Sequence, residues 1–281
     1  MVGEIWMGED EINDYGYASY GGEPGLISNY DFPMRYRMVR VMATQEHHRD
    51  DDAYNQPASL LDDGFNTHDI YPDYAKPNLM LTNHDLVRFG TLIERAPHLE
   101  YGKEESDYWR RHKMAMYFLA AYTGPITLYY GDEIGDDIPD YVEDGDGGHR
   151  DDNASRTAGQ IDNFDNNQSE LHDYVQSLME LRDENPALWN GERENLIAEG
   201  GANADEGSRY ADLKICPDDG DRMLYVLNVG TDNETFSFTE DELGGSQLED
   251  ALDDDAPTID ISAGEEVEVE RLSARFFHVT D

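Results

Sequence analysis

The 281 residues, 38% of them apolar, are enough for one large domain or two of ordinary size around a true core. Sixty-three Asp and Glu against 20 Lys and Arg set the formal charge at −43, which excludes nucleic acid and anionic membrane surfaces as partners, since both would repel the chain. Cys216 is the single cysteine, so there is no internal disulfide and no thiolate cluster for zinc or iron-sulfur.

The acids are spread among Tyr, Trp, Phe and Leu that recur at helix and strand spacing, and the lysines are only Lys76, Lys103, Lys113 and Lys214. A folded, acid-rich, Lys-poor chain is expected of a protein kept soluble in molar salt, where screening removes the self-repulsion that opposes compaction. Low salt is therefore expected to destabilise it. No run reaches the length of a membrane span, and MVGEIWMGEDEIND carries no signal-peptide pattern, which reads as cytoplasmic if Met1 is the true start.

In chain order, Val2 to Trp6 (VGEIW) and Gly25 to Phe32 (GLISNYDF) read as buried strands flanking a Gly- and Tyr-rich loop. Pro33 to Met42 puts apolar residues at helix spacing, with Pro33 suited to the first turn. Beyond an acidic stretch around His47 to Asn55, Asn78 to Thr82 makes a third strand and Tyr108 to Tyr122 a helix closed by Gly124-Pro125. Ile126 to Tyr130 makes a fourth strand, followed by a Gly/Asp loop and an amphipathic helix over Gln168 to Glu184 that stops before Pro186. Alternating strand and helix marks a parallel α/β sheet. From about residue 192, Arg209 to Ile215, Met223 to Val229, Thr235 to Phe238, Thr258 to Ile261, Glu266 to Glu270 and Arg275 to Val279 read as short strands of an antiparallel β domain.

Three of the early strands carry or end in polar residues that a buried strand does not need: Glu4, Asn83-His84-Asp85 and Gly131-Asp132-Glu133. In a barrel of parallel strands all C-terminal ends open on one face, where active sites form, so these carboxylates can meet in one cleft. An acid inside an apolar strand is costly to bury without purpose.

Gly3-Glu4-Ile5-Trp6, Leu81 to Arg88 (LTNHDLVR) and Gly124 to Glu133 (GPITLYYGDE) resemble, in order and spacing, three successive signature segments of the alpha-amylase family of glycoside hydrolases. The resemblance implies the ends of the fifth, seventh and eighth strands of a (β/α)8 barrel. It gives a partial barrel, strands five to eight, over residues 1–190 and an antiparallel β-sandwich over 191–281. By the same resemblance Glu4 matches the general acid/base, and Asp85 the carboxylate that fixes sugar hydroxyls and favours an oxocarbenium-like transition state. Asn83, His84, Arg88 and Arg156 fall on the substrate side, and Glu133 is structural. The partner implied is an α-glucan or malto-oligosaccharide, with no cofactor in this chain.

The family's nucleophilic Asp, with an Arg two residues before it, would precede Met1, as would the first four βα units and the small domain that holds a structural calcium. A retaining glycosidase needs two carboxyls about 5 Å apart, acid/base and nucleophile. The expectation is thus an enzyme incomplete without an N-terminal half-barrel. Two alternatives stand beside it: a non-catalytic carbohydrate-binding subunit, and an acidic interaction or ion-binding protein.

Other motifs carry less. The loop Asp136 to Asp152 lacks a calcium-loop pattern and reads as a solvated face, and His149 to Arg156 resembles a substrate-side loop. His47, His48 and His68 lack the helical pairing of a metal site and read as surface residues, while Cys216 reads as a packed hydrophobe. No G-x-S-x-G, P-loop or G-x-G-x-x-G is present. Amylase, glucosidase, cyclodextrin hydrolase and transferase are not distinguished.

Overall fold

A computed structural model describes residues 1–46, 54–96, 102–138, 156–197 and 207–281. His47, His48 and residues 139–155 of the acidic and substrate-side loops lie outside the described residues. The chain divides into two compact units: Met1–Gln56, Leu60–Ala115 and Gly124–Tyr174 form the first, and Pro57–Ser59, Met116–Thr123 and Val175–Asp281 the second.

In the first unit, β1 (Val2–Gly3) is followed by α1 (Glu9–Ile12), β2 (Ser28–Asn29), α2 (Phe32–Met42), α3 (Leu60–Asn66), β3 (Leu79–Met80) and α4 (Phe89–Arg95). Next come α5 (Ser106–Ala121), β4 (Ile126–Thr127) and α6 (Asn166–Glu184); α5 and α6 give residues to both units. β1 pairs with β2 and β3 with β4, both parallel, and a parallel bridge from Tyr30 to Asn78 joins the pairs. Parallel strands alternating with helices were expected; the strands are shorter than the apolar runs. After β3 and β4 the reason lies in the carbonyls beyond the ladder. That of Leu81 accepts from Arg35 Nε at 3.2 Å and that of Tyr130 from Arg88, so side chains take up bonds that a neighbouring strand would make.

Gly3 fits where it does because a Cβ there would meet Asn29 Oδ1 at 2.1 Å. Glycine permits this close approach, while the pairing of Gly3 with Asn29 and the bond from Tyr30 N to the Gly3 carbonyl at 2.9 Å set where the following Glu4 emerges. At the end of β2, Asp31 caps α2 by accepting from Met34 N at 3.1 Å, and Pro33 occupies the first turn, as the sequence suggested. Asp31 Oδ2 also lies 2.7 Å from His68 Nε2, so His68 is tied to a buried carboxylate and is not a bare surface histidine.

α5 places His112 between the rings of Tyr108 and Phe89, at centroid distances of 4.7 and 5.2 Å. Neither ring nitrogen meets a hydrogen-bonding atom among the described residues, and burial pushes the imidazole pKa down to about 3. A depressed histidine leaves stability intact above its ordinary pKa and drains it as pH falls toward the depressed value. Between pH 7 and 5 the native protein should thus lose roughly 2 kcal/mol that His112→Phe keeps. Urea unfolding at the two pH values measures this; equal losses in both proteins would contradict it.

The second unit continues with α7 (Pro186–Asn190), β5 (Glu192–Asn195), β6 (Arg209–Ile215), β7 (Arg222–Asn228), β8 (Glu234–Phe236), α8 (Glu240–Leu243), β9 (Gln247–Asp250), β10 (Ile259–Asp260), β11 (Val267–Val269) and β12 (Ser273–Thr280). Six strands form an antiparallel sheet in the order β10-β9-β12-β7-β6-β5, and β8 pairs with β11. Leu213, Leu224, Val226 and Phe277 of the large sheet share one core with Phe236, Val267 and Val269 of the small one, so burying their common apolar side holds the unit together. Arg182 of α6 donates to the carbonyls of Ala120 and Tyr122 at 2.7 and 2.8 Å, satisfying acceptors at the end of α5. Cys216 is buried. Among the described residues no helix is long and apolar enough to cross a membrane.

Candidate active site

The parallel strands bring the residues that follow β1 and β3 together, and there Glu4, Asn83, His84 and Asp85 meet, whereas Asp132 and Glu133, which follow β4, bond to Thr82 and Gly131 instead. Glu4 follows β1 and is exposed; Asn83, His84 and Asp85 follow β3. Asn83 is buried and works as a clamp. Its Nδ2 donates to Glu4 Oε1 at 3.0 Å, while its Oδ1 accepts from Asp85 N at 2.8 Å. One amide side chain therefore fixes both the side chain of Glu4 and the backbone that carries Asp85.

Asp85 is partly open, with Oδ2 3.2 Å from His84 Nε2 and Oδ1 accepting from Arg156 Nη2 at 2.7 Å. Arg156 also donates from Nε to the carbonyl of His84 at 3.0 Å. A carboxylate oxygen of Glu4, one of Asp85 and a ring nitrogen of His84 all lie within 4.8 Å of one another. With half-exposed His84 and Arg156 at its rim, the cluster can offer a ligand an acid, a second carboxylate and two donors.

Arg88, expected on the substrate side, is placed otherwise. Its guanidinium is fully enclosed. It donates to the carbonyl of Tyr130 and to Thr157 Oγ1 at 3.3 Å, approaches Asp132 at 3.8 Å and Asp136 at 3.6 Å, and lies 4.7 and 4.8 Å from the ring centroids of Tyr129 and Tyr130. A side chain with no exposed surface cannot touch a sugar in this arrangement; it braces the site from behind. Thr157 in turn donates to Asp136 Oδ2 at 2.7 Å, so Arg88 and Asp136 together hold the residue next to Arg156. Gly131, at φ +93°, makes room: a Cβ there would come within 2.9 Å of Arg88 Nη1. Glu133 accepts from Gly131 N at 2.7 Å, in keeping with a structural role.

Asp132 stands out in the sequence only as part of the strand-end run Gly131-Asp132-Glu133, with no role of its own. It is fully buried, accepts from the Thr82 hydroxyl, and burial pushes its carboxyl pKa up to about 7, against the downward pull of Thr82 and Arg88. Thr82 and Asp132 both sit inside the quoted motifs, but only their meeting in space marks the pair. A raised carboxyl pKa gives stability that is complete below the ordinary value near 4 and is lost as pH rises through 7. Asp132→Asn, which keeps an oxygen for Thr82, should flatten that decline. Urea midpoints of both proteins from pH 5 to 8 test it, and parallel curves would refute it.

No family model matches the chain. It is 38% identical to AmyP, solved in complex with maltotriose, with a TM-score of 0.87 over 99% of this chain and 55% of that one. It is 29% identical to an alpha-amylase of Streptomyces lividans over 72% of this chain and 22% of that protein. A beta/alpha-amylase of Paenibacillus polymyxa is 26% identical over 85% of this chain and 18% of its own length. The fold is thus a mixed α/β one with an antiparallel sheet near its C-terminus, and it matches about half of the solved AmyP chain. More particularly, the chain is related to the alpha-amylase family of glycoside hydrolases, and it spans about half the length of the solved relative and about a fifth of the two curated ones.

Proposed function

We propose that the chain carries the acid/base half of a retaining glycoside hydrolase that acts on α-glucosidic bonds of starch-like glucans. The observation that carries this reading is the clamp by which Asn83 joins Glu4 to Asp85 at the ends of two parallel strands. Glu4, exposed and held by one oxygen, protonates the leaving glycosidic oxygen and then activates water. Asp85, oriented by Asn83 and Arg156, grips sugar hydroxyls with His84 beside it. The parallel strands stand as strands five to eight of a (β/α)8 barrel, and an N-terminal half-barrel supplies the nucleophilic carboxylate and any structural calcium. The likeness to AmyP, solved with maltotriose, supports α-glucan as the ligand.

Trp6 reports on the site. It lies two residues from Glu4, is 40% exposed, and stacks on Phe32 at 5.8 Å. Titration of the chain in molar KCl with maltotriose should change Trp fluorescence saturably, cellotriose should not, and Asp85→Ala should abolish the response. Equal responses to both sugars would sink the reading. The acidic surface supports a halophilic origin, so the thermal midpoint is expected to climb with KCl concentration.

A further inference from the structure

We propose that Glu4, His84 and Asp85 form a binding site for a divalent transition metal of the zinc class. The donor set decides the class. Two carboxylates and an imidazole suit zinc, whereas calcium takes six to eight oxygens and has no use for the ring nitrogen of His84. Three protein ligands leave the fourth tetrahedral position for water.

The surroundings are arranged as metal ligands need them. Asn83 holds Glu4 by Oε1 and Arg156 holds Asp85 by Oδ1, each leaving the second oxygen of its carboxylate to bind. Zinc with bonds of about 2.0–2.1 Å spaces its ligands about 3.4 Å apart. His84 Nε2 and Asp85 Oδ2 already stand 3.2 Å apart, so only the exposed Glu4 side chain has to close in. The ring of His84 is half exposed, which gives the ion a way in. At low ionic strength the formal charge of −43 raises the local concentration of any cation. It also gives a weak, unselective background of bound ions, and His84 is what separates this site from it.

On the function proposed above, zinc here occupies the oxygens that act on the glucan and therefore inhibits. The binding itself needs only the three side chains. The test adds zinc sulfate to the 15N-labelled chain in concentrated sodium sulfate, counts bound zinc by equilibrium dialysis and follows the His84 ring nitrogens by NMR. One equivalent should shift the His84 signals ahead of those of other histidines. His84→Asn, an exposed change that leaves the fold alone, should weaken that equivalent by about tenfold or more, while His278→Asn in the β domain should not. Calcium at equal concentration should fail to displace it. Undiminished zinc in His84→Asn, or displacement by calcium, would overturn the proposal. Zinc bound at His84 together with no response to maltotriose would count against the function and leave the metal site standing.

Discussion

Arg88→Met should lower the stability of the chain by about 3–5 kcal/mol, the usual cost of removing one partner from a buried charge network. The methionine fills much of the space of the arginine stem but leaves Asp132, fully buried, and Asp136 without their cation. It also removes the donors to Tyr130 and Thr157 and the charge over the Tyr129 and Tyr130 rings. The loss should depend on pH in a definite direction. Burial already pushes the Asp132 carboxyl up to about 7, and the Arg88 charge pulls against that rise. Without Arg88 the carboxyl is protonated over a wider range, so the variant should suffer less at pH 6 than at pH 8. Urea unfolding at both values checks this, and a loss under about 1 kcal/mol, typical of an exposed pair, would show that the guanidinium does not brace the site.

Glu4→Gln should reduce glycoside hydrolysis by about 10²–10⁴-fold in the protein assembled with its N-terminal half, the range that a positioned general acid/base contributes. The amide keeps the shape of the side chain and an oxygen that can still accept from Asn83 Nδ2, so the clamp and the fold survive while the proton is gone. Maltotriose binding should change little, because Asp85, His84 and Arg156 remain in place. Substrates with a good leaving group need less help from the acid, so a nitrophenyl maltoside should lose less in its first step than starch does. A uniform loss of binding and turnover would mean that Glu4 holds the sugar without protonating it.

The polar residues that define the site could be read from the chain because they interrupt or end runs of apolar residues, where burial makes a charged group costly. Glu4 within VGEIW and the Asn83-His84-Asp85 run after NLMLT are of this kind, and the structure brings them together through Asn83. What surrounds Arg88 could not be read, since Tyr130, Asp132, Asp136 and Thr157 follow it by 42 residues or more and nothing local says that their carboxylates and rings enclose one guanidinium. His112 lies in a helix of mixed polarity, and only the packing of Tyr108 and Phe89 on it reveals a neutral, buried ring. The helix, whose range was read to within two residues, betrays nothing of this.

Among the strands, β6 matches its expected range because it is buried along its length and apolar enough to stand out. β5 and β9 were missed. β5, Glu-Arg-Glu-Asn at the edge of the sheet, is polar as edge strands often are, and β9 hides most of its pattern in Gln, Glu and Asp. The short helices α1, α3 and α4 span four to seven residues, too few for a helical period to assert itself.

The most direct measurement is hydrolysis of soluble starch and a chromogenic α-maltoside in molar KCl, with anomeric configuration followed by NMR, for this chain alone and mixed with the N-terminal half-barrel. The mixture should release the α-anomer, the chain alone should be silent, and Glu4→Gln should abolish nearly all of the mixture's activity. Activity from the chain alone would make Asp85, close beside Glu4, the nucleophile in place of a residue from the other half; silence in the mixture, with maltotriose still bound, would leave a carbohydrate-binding subunit and contradict the assignment of Glu4 as acid/base.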